Sequence, residues 1–94
     1  MLAVGPDTRD EIVMRVAKSR RVPVSEILGG SVRRDVVLAR WECAWLLRSR
    51  VRGDGSPRHS WPAIAKALNQ GDHTSVMRGA ERYRAMLSED RVAA

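Results

Sequence analysis

Residues 69–78, Asn-Gln-Gly-Asp-His-Thr-Ser-Val-Met-Arg, constrain the fold of this chain more than any other stretch. They read as the end of one helix and the start of the next with almost nothing between. Gly71 can end a helix, Asp72 can cap the following one, and His73, Thr74 and Ser75 put three polar side chains in its first turn. That grammar describes a helix-turn-helix. Side chains at the start of its second helix reach base edges in a major groove, and His, Thr and Ser are hydrogen-bonding types suited to the task. An ordinary capped surface helix obeys the same grammar, so the turn alone leaves both readings open.

The rest of the chain supplies helices for such a unit to rest on. Thr8 and Glu11 have the spacing of a capping box, and Ile12, Val13, Val16 and Ala17 recur at helical spacing, which predicts a first helix to about Arg20 with a basic end at Lys18, Arg20 and Arg21. Pro23 stops it, and Ser25 to Leu28 form one short turn ended by Gly29-Gly30. A basic loop, Ser31-Val32-Arg33-Arg34, leads into a helix from Asp35 to about Val51. Val36, Val37, Leu38, Ala39, Trp41, Cys43, Ala44, Trp45, Leu46 and Leu47 make that helix apolar around most of its circumference, so it should be the central element. Arg40, Arg48, Arg50 and Arg52 take the remaining face and the end, either solvated or facing phosphate.

Residues 53–58, Gly-Asp-Gly-Ser-Pro-Arg, read as a flexible connection. Ser60 then caps a short helix with Trp61 and Pro62 in its first turn and Ile64, Ala65 and Leu68 along its apolar edge. The last helix runs from His73 to about Ser88, with Val76, Ala80, Tyr83 and Leu87 as a core-facing stripe and Thr74, Arg78, Glu81, Arg82 and Ala85 on other faces. Gly79 inside it suggests close packing against a neighbour. After Glu89 the tail is expected to fray.

Ninety-four residues suffice for one small core, and residues 1–94 read as a single domain with an ordered part at about 8–88. Seventeen Lys and Arg against eleven Asp and Glu give a net charge of +6, and nearly all the cations are Arg, the side chain with the planar fork that matches phosphate and guanine. Nucleic acid is the natural partner of such a charge. Cys43, His59 and His73 lack the number and spacing of a zinc site, and Cys43 reads as a small buried hydrophobe. No metal, cofactor or catalytic residue is expected. Nothing resembles a signal peptide or an apolar span long enough for a membrane, so the expected location is the cytoplasm, at the nucleoid.

Gly-Asp-His-Thr-Ser-Val at 71–76, preceded in order by Val36-Val37-Leu38-Ala39-Arg40 and Ser60-Trp61-Pro62-Ala63-Ile64, resembles the C-terminal DNA-binding domain (domain IV) of the bacterial replication initiator DnaA over about residues 8–88. The resemblance implies an all-α fold, a small TrpR-like or DnaA domain IV-like helical bundle with its helix-turn-helix at about 60–87. It also implies that Asp72, His73 and Thr74 contact bases in the major groove, that Ser75 contacts bases or backbone, and that Pro62 packs on a thymine methyl. In that family an Arg of the basic loop enters the minor groove. Here an ungapped alignment puts Val32 at that position, with Arg33 and Arg34 just after it. Gly71 stands where the family usually has Arg, and the connection at 53–58 is longer. Either the neighbouring Arg33 or Arg34 takes over the minor-groove contact, or that contact is lost and a different or looser site is read; together the departures weaken the case for the usual initiator box.

Two layers of contact follow, phosphate contacts that position and base contacts that read. Positioning falls to Arg33, Arg34, Arg48 and Arg78, with Ser60 and Trp61 at a helix start; Trp61 can equally close the core. In the reading layer His73 can donate or accept, Thr74 offers a hydroxyl and a methyl, and Asp72 can accept from cytosine while also capping its helix. The resulting expectation is sequence-specific binding of double-stranded DNA in transcription regulation, in the manner of phage-derived or gene-transfer-agent activators. No Gly-x-x-x-x-Gly-Lys-Ser/Thr phosphate loop accompanies it. The alternatives are the box-binding domain of a replication initiator, or a helical module docking a protein partner through Trp61, Met77 and Met86. Further domains in a longer natural chain stay open. An enzyme has no nucleophile-and-base set here, and an RNA binder has no stacking platform among three Trp and one Tyr.

Overall fold

The signals above resolve into α1 (Arg9–Arg20), α2 (Val24–Ile27), α3 (Arg34–Ser49), α4 (Trp61–Ala67) and α5 (His73–Ala93), in a computed structural model that describes the backbone of residues 9–93 and the side chains of 9–89. The architecture is the expected all-α bundle, and among the described residues the only β pairing is an isolated antiparallel bridge between Val51 and Pro57. Thr8, the expected capping partner of Glu11, lies outside the described residues.

α1 buries Ile12, Val13, Val16 and Ala17, its predicted stripe. It ends where Arg21 turns into the left-handed region at φ 57 and the Val22 amide reaches back to the Ala17 carbonyl at 2.9 Å, a Schellman closure that also buries Val22. Pro23 then stands at the cap position of α2. Its carbonyl accepts the amides of Glu26 and Ile27, which starts and ends this turn one residue earlier than the Ser25–Leu28 reading.

α3 contacts each of the other four helices, which makes it the central element expected. Its buried face is narrower than the run of apolar residues suggests. Val36, Ala39, Cys43, Ala44 and Leu47 are buried, whereas Val37, Leu38, Trp41, Trp45 and Leu46 are half-buried. The helix starts at Arg34, and it stops at Ser49 instead of Val51 because Arg50 goes extended (ψ 129) and hands the β-branched Val51 to the bridge with Pro57. Across the middle of the bundle Ile12, Ile27, Leu47, Ile64 and Leu68 are almost completely buried, each contributing about 1.5–3 kcal/mol relative to an exposed side chain. No charged or polar side chain is buried among the described residues.

The seam between α3 and α5 fixes where the last helix lies. Gly79 faces Trp41 so closely that an added Cβ would overlap Cδ1 and Nε1 of the indole, the close packing its position suggested. One to two turns on, the Trp45 and Tyr83 rings sit 5.7 Å apart at 54°. Arg20 from α1 reaches across the same seam to the Glu42 carboxylate and donates to the Tyr83 hydroxyl at 3.3 Å. The predicted stripe on α5 holds at Val76, Ala80 and Tyr83 and loosens at Leu87, which is half-buried. The helix runs on past Glu89 to Ala93, against the expected fraying, since no Gly or Pro interrupts Ser-Glu-Asp-Arg-Val-Ala at 88–93.

Candidate nucleic-acid interface

The turn between α4 and α5 is closed by Asn69, not by Gly71. Asn69 takes the left-handed conformation at φ 58, its amide donates to the Lys66 carbonyl at 3.1 Å, and the Gln70 amide donates to the Ala65 carbonyl at 2.8 Å. Those two bonds are a Schellman motif, and Asn is the residue after Gly that tolerates its φ best. Gly71 sits in open space with no positive φ, so its lack of a side chain is not what bends the chain. The side chains of the turn reach inward: Asn69 Nδ2 donates to the Leu28 carbonyl at 3.0 Å and Gln70 Nε2 to the Gly29 carbonyl at 3.2 Å. The helix-turn-helix is thereby tied to the segment after α2.

Arg40 completes that tie. Its guanidinium, expected to be solvated or to face phosphate, instead donates to the carbonyls of Ile27, Glu26 and Gly29 at 2.9, 3.0 and 3.0 Å. The free carbonyls at the end of α2 need donors, and a rigid fork on the adjacent helix supplies them. Burial lowers the pKa of this guanidinium from its ordinary value. The Gly29 oxygen accepts from both Arg40 and Gln70, so one carbonyl joins the central helix to the turn.

The first turn of α5 is organised by Asp72. One carboxylate oxygen accepts the Thr74 amide at 2.9 Å and the other accepts the Ser75 hydroxyl at 3.1 Å. The Thr74 amide, and then the Ser75 hydroxyl, hold this carboxyl below the usual carboxylate range. Asp72 is thus a cap that keeps its charge, with both oxygens already engaged inside the chain. His73 and Arg78 are exposed and Thr74 is half-buried.

α4 presents its outer edge next to this turn. Ser60 caps it, its hydroxyl accepting the Ala63 amide at 3.2 Å, and Pro62 follows in the first turn, fully outward. Pro62, Lys66, Asn69, Gly71 and His73 line one open depression. Two of the expected base readers, Pro62 and His73, are therefore brought together. Ser75 is not among them: it lies in the depression on the other side, with Arg40, Trp41 and Asp72. Lys66 was missed by the reading of the sequence, although its place one helical turn after Pro62 puts it on the same edge.

The expected phosphate contacts are scattered over distinct environments. Arg33 is exposed but engaged, forked on Asp35 at 3.2 and 2.8 Å and 3.6 Å from Glu26. That fork holds the Asp35 carboxyl below its ordinary pKa. Arg34 belongs to α3 and is exposed, and Val32 beside it is 87% exposed. Arg48 donates to the His59 carbonyl at 2.9 Å and lies over the Trp61 ring, 4.6 Å from its centroid. Trp61 is half-buried against the core, the alternative to a phosphate contact. Met77 and Met86 are half-buried too, so the three side chains proposed for a protein-docking face do not form an exposed apolar patch. The exposed large hydrophobics among the described residues are Met14, Val32 and Val51.

Among the described residues no three His, Cys, Asp or Glu side chains are grouped for a metal ion. Burial pushes the Cys43 thiol up to about 12, which makes it a buried hydrophobe and not a nucleophile at neutral pH. No helix among the described residues is long and apolar enough to cross a membrane.

The family model described as the bacterial DnaA protein helix-turn-helix matches residues 9–82. No curated protein and no solved structure matches the chain.

Proposed function

We propose, for a chain that belongs to the bacterial DnaA helix-turn-helix family, that it reads double-stranded DNA sequence-specifically with the first turn of α5 in the major groove. DNA binding itself follows from membership, and a helix-turn-helix of this kind is not catalytic on its own. The finer reading is supported above all by one observation: the exposed His73 shares a depression with the exposed Pro62, while Asp72 caps the first turn of α5 that carries His73.

In this reading residues 1–94 act as one DNA-binding domain. His73 and Thr74 contact base edges, Pro62 packs on a thymine methyl, and Asp72 fixes their geometry, reaching a base only through lone pairs left after capping. Ser75 braces Asp72 and faces the backbone. Lys66 joins the set as a cation beside the readers. Arg34 and Arg78 contact phosphates directly; Arg33 does so by exchanging Asp35 for phosphate; Ser60 offers the start of α4. Arg48 and Trp61 act together as the brace behind that helix start. Val32, in the place of the family's minor-groove Arg, together with Gly71, favours a target other than the initiator box, and hence regulation of transcription in the manner of phage-derived or gene-transfer-agent activators over initiation of replication.

Selection from a pool of random duplexes, repeated with a His73→Ala/Thr74→Ala variant, tests the proposal. One enriched motif that the variant loses is the expected result. Binding that tracks only salt in both proteins would remove the base-reading role.

A further inference from the structure

Three successive residues of the turn between α4 and α5 leave its outer surface clear of side chains. Asn69 Nδ2 is tied down to the Leu28 carbonyl at 3.0 Å, and Gln70 Nε2 to the carbonyls of Gly29 and Leu68 at 3.2 and 2.9 Å. Gly71 has no side chain to place. The first two serve the fold, since they close the turn and fasten it to the segment after α2. Gly71 does neither: its φ is not positive, and a Cβ built on it meets nothing within 4 Å. A glycine in such a position widens the unfolded ensemble with no compensating role in the folded chain.

The surroundings of Gly71 supply a role outside the fold. It lines the depression that holds Pro62, Lys66 and His73, and it also lines the depression on the other side of the turn, with Trp41 and Ser75. Gln70, whose side-chain amide is turned inward, is the one other residue common to both. The two depressions therefore meet on a saddle of nearly bare backbone, and any side chain at position 71 would stand on it. Lys66 is exposed on the side that carries Pro62 and His73. Asp72 borders the other side, but both its oxygens are engaged by Thr74 and Ser75. Glycine is the residue that lets a backbone come this close to a ligand.

We propose that the saddle seats a DNA strand: the sugar-phosphate edge of the groove read by α5 crosses the turn in van der Waals contact with Gly71, an assignment that rests on the DNA-reading function above. Gly71 then sets how deeply the first turn of α5 enters the groove. A side chain there lifts the strand off the turn and carries the base edges out of hydrogen-bonding distance of His73 and Thr74 together. Lys66 meets a phosphate of the seated strand. If Gly71 were instead only a position that lacks a cation, an Arg placed there would add a phosphate contact. The two accounts predict opposite signs for one substitution.

The test is the affinity of the whole chain, as wild type and as Gly71→Ala, Gly71→Leu and Gly71→Arg, for the duplex that the wild type selects and for an unselected pool of random duplexes. Gly71→Ala should bind the selected duplex about tenfold more weakly while melting no lower than the wild type, the equivalent of losing one good base contact. Gly71→Leu should bind more weakly still, and Gly71→Arg more weakly than the wild type despite its charge. Because the obstruction falls on the strand and not on the bases, the same order should appear on the pool, where His73→Ala/Thr74→Ala changes little. Ala and Leu variants that bind both DNAs as the wild type does overturn the seat and leave base reading standing. An Arg variant that binds more tightly than the wild type overturns it as well. A wild-type chain that selects no motif removes base reading alone, and the order of the variants on the pool still decides the seat. If the Leu or Arg variant melts early, Gly71→Ala carries the test, since its Cβ meets no atom of the chain.

Discussion

The middle of α5 and its first turn belong to one helix and do opposite work. In the middle, Gly79, Ala80 and Tyr83 are buried against α3, and neither Gly79 nor Trp41 has room to change. At the first turn, Asp72, His73 and Ser75 are exposed, and their hydrogen bonds are made almost entirely within the turn. The first region sets how firmly the helix is held, and the second sets what it offers to a ligand. Because few side chains serve both, substitutions should separate cleanly into those that cost stability and those that cost recognition.

The sharpest test of that separation is Gly79→Val. Its Cβ has to displace the Trp41 indole, and overpacking of this kind costs about 3 kcal/mol. For a domain of this size the total is only about 5–10 kcal/mol, so urea unfolding should show the midpoint collapsing. Gly79→Ala should cost less, since the gain in helix propensity of about 1 kcal/mol offsets part of the clash. Its cost should shrink further in a Trp41→Leu background. A Gly79→Val chain as stable as the parent would break the account of the seam.

Arg40→Met comes next. It keeps the stem and removes the donors to three carbonyls at the end of α2, at a cost of about 2 kcal/mol. Arg40→Lys should recover little, because one ammonium does not reproduce a fork. The readout that marks Arg40 as the link between the two halves is amide exchange in the 69–71 turn, which should speed up in both variants although neither touches it.

Local signals made much of this legible in the sequence, and long-range ones did not. The stripes of α1 and α5 have helical period, so Ile12, Val16, Val76 and Ala80 were readable as core from spacing alone. The circumference of α3 was misleading: apolar side chains such as Val37 and Leu38 ring the helix, yet neighbours bury only part of that ring and leave these two half-buried. Arg40 looked like a free cation because its acceptors lie more than ten positions away, and nothing in a single sequence says which carbonyls a guanidinium will meet. The hairpin after α3 was hidden for a different reason. Gly, Asp, Ser and Pro are the residues of both linkers and tight turns, and only the pairing of Arg50 with Arg58 tells them apart. At the candidate interface, the grouping of Pro62 with His73 was within reach of a family resemblance. The addition of Lys66 needed the depression itself.

Asp72 belongs to the first turn yet also helps to hold its helix, and pH probes it. Its folded pKa is depressed, so the stability it contributes is present above the unfolded value near about 3.9 and is lost as pH falls through the folded value. Asp72→Ala should lower the melting temperature by a few degrees at neutral pH and flatten the acid limb of the melting-temperature profile. An acid limb identical in the two proteins would mean that the bonds to Thr74 and Ser75 do not form in solution.

The smallest expected effect decides where the turn is made. Gly71 has space around it and no left-handed φ, so Gly71→Ala should be neutral or stabilising by about 0.5 kcal/mol, because it narrows the unfolded ensemble without straining the folded one. Asn69→Ala should instead cost about 1–2 kcal/mol, from left-handed strain together with the lost bond to Leu28. The sequence grammar ranks the two positions the other way round, since it takes Gly71 as the helix terminator. Thermal melting of the two alanine variants therefore sets the grammar against the geometry. If Gly71→Ala proves the more damaging, the turn bends at glycine, and the tie from Asn69 and Gln70 to the segment after α2 is secondary to it.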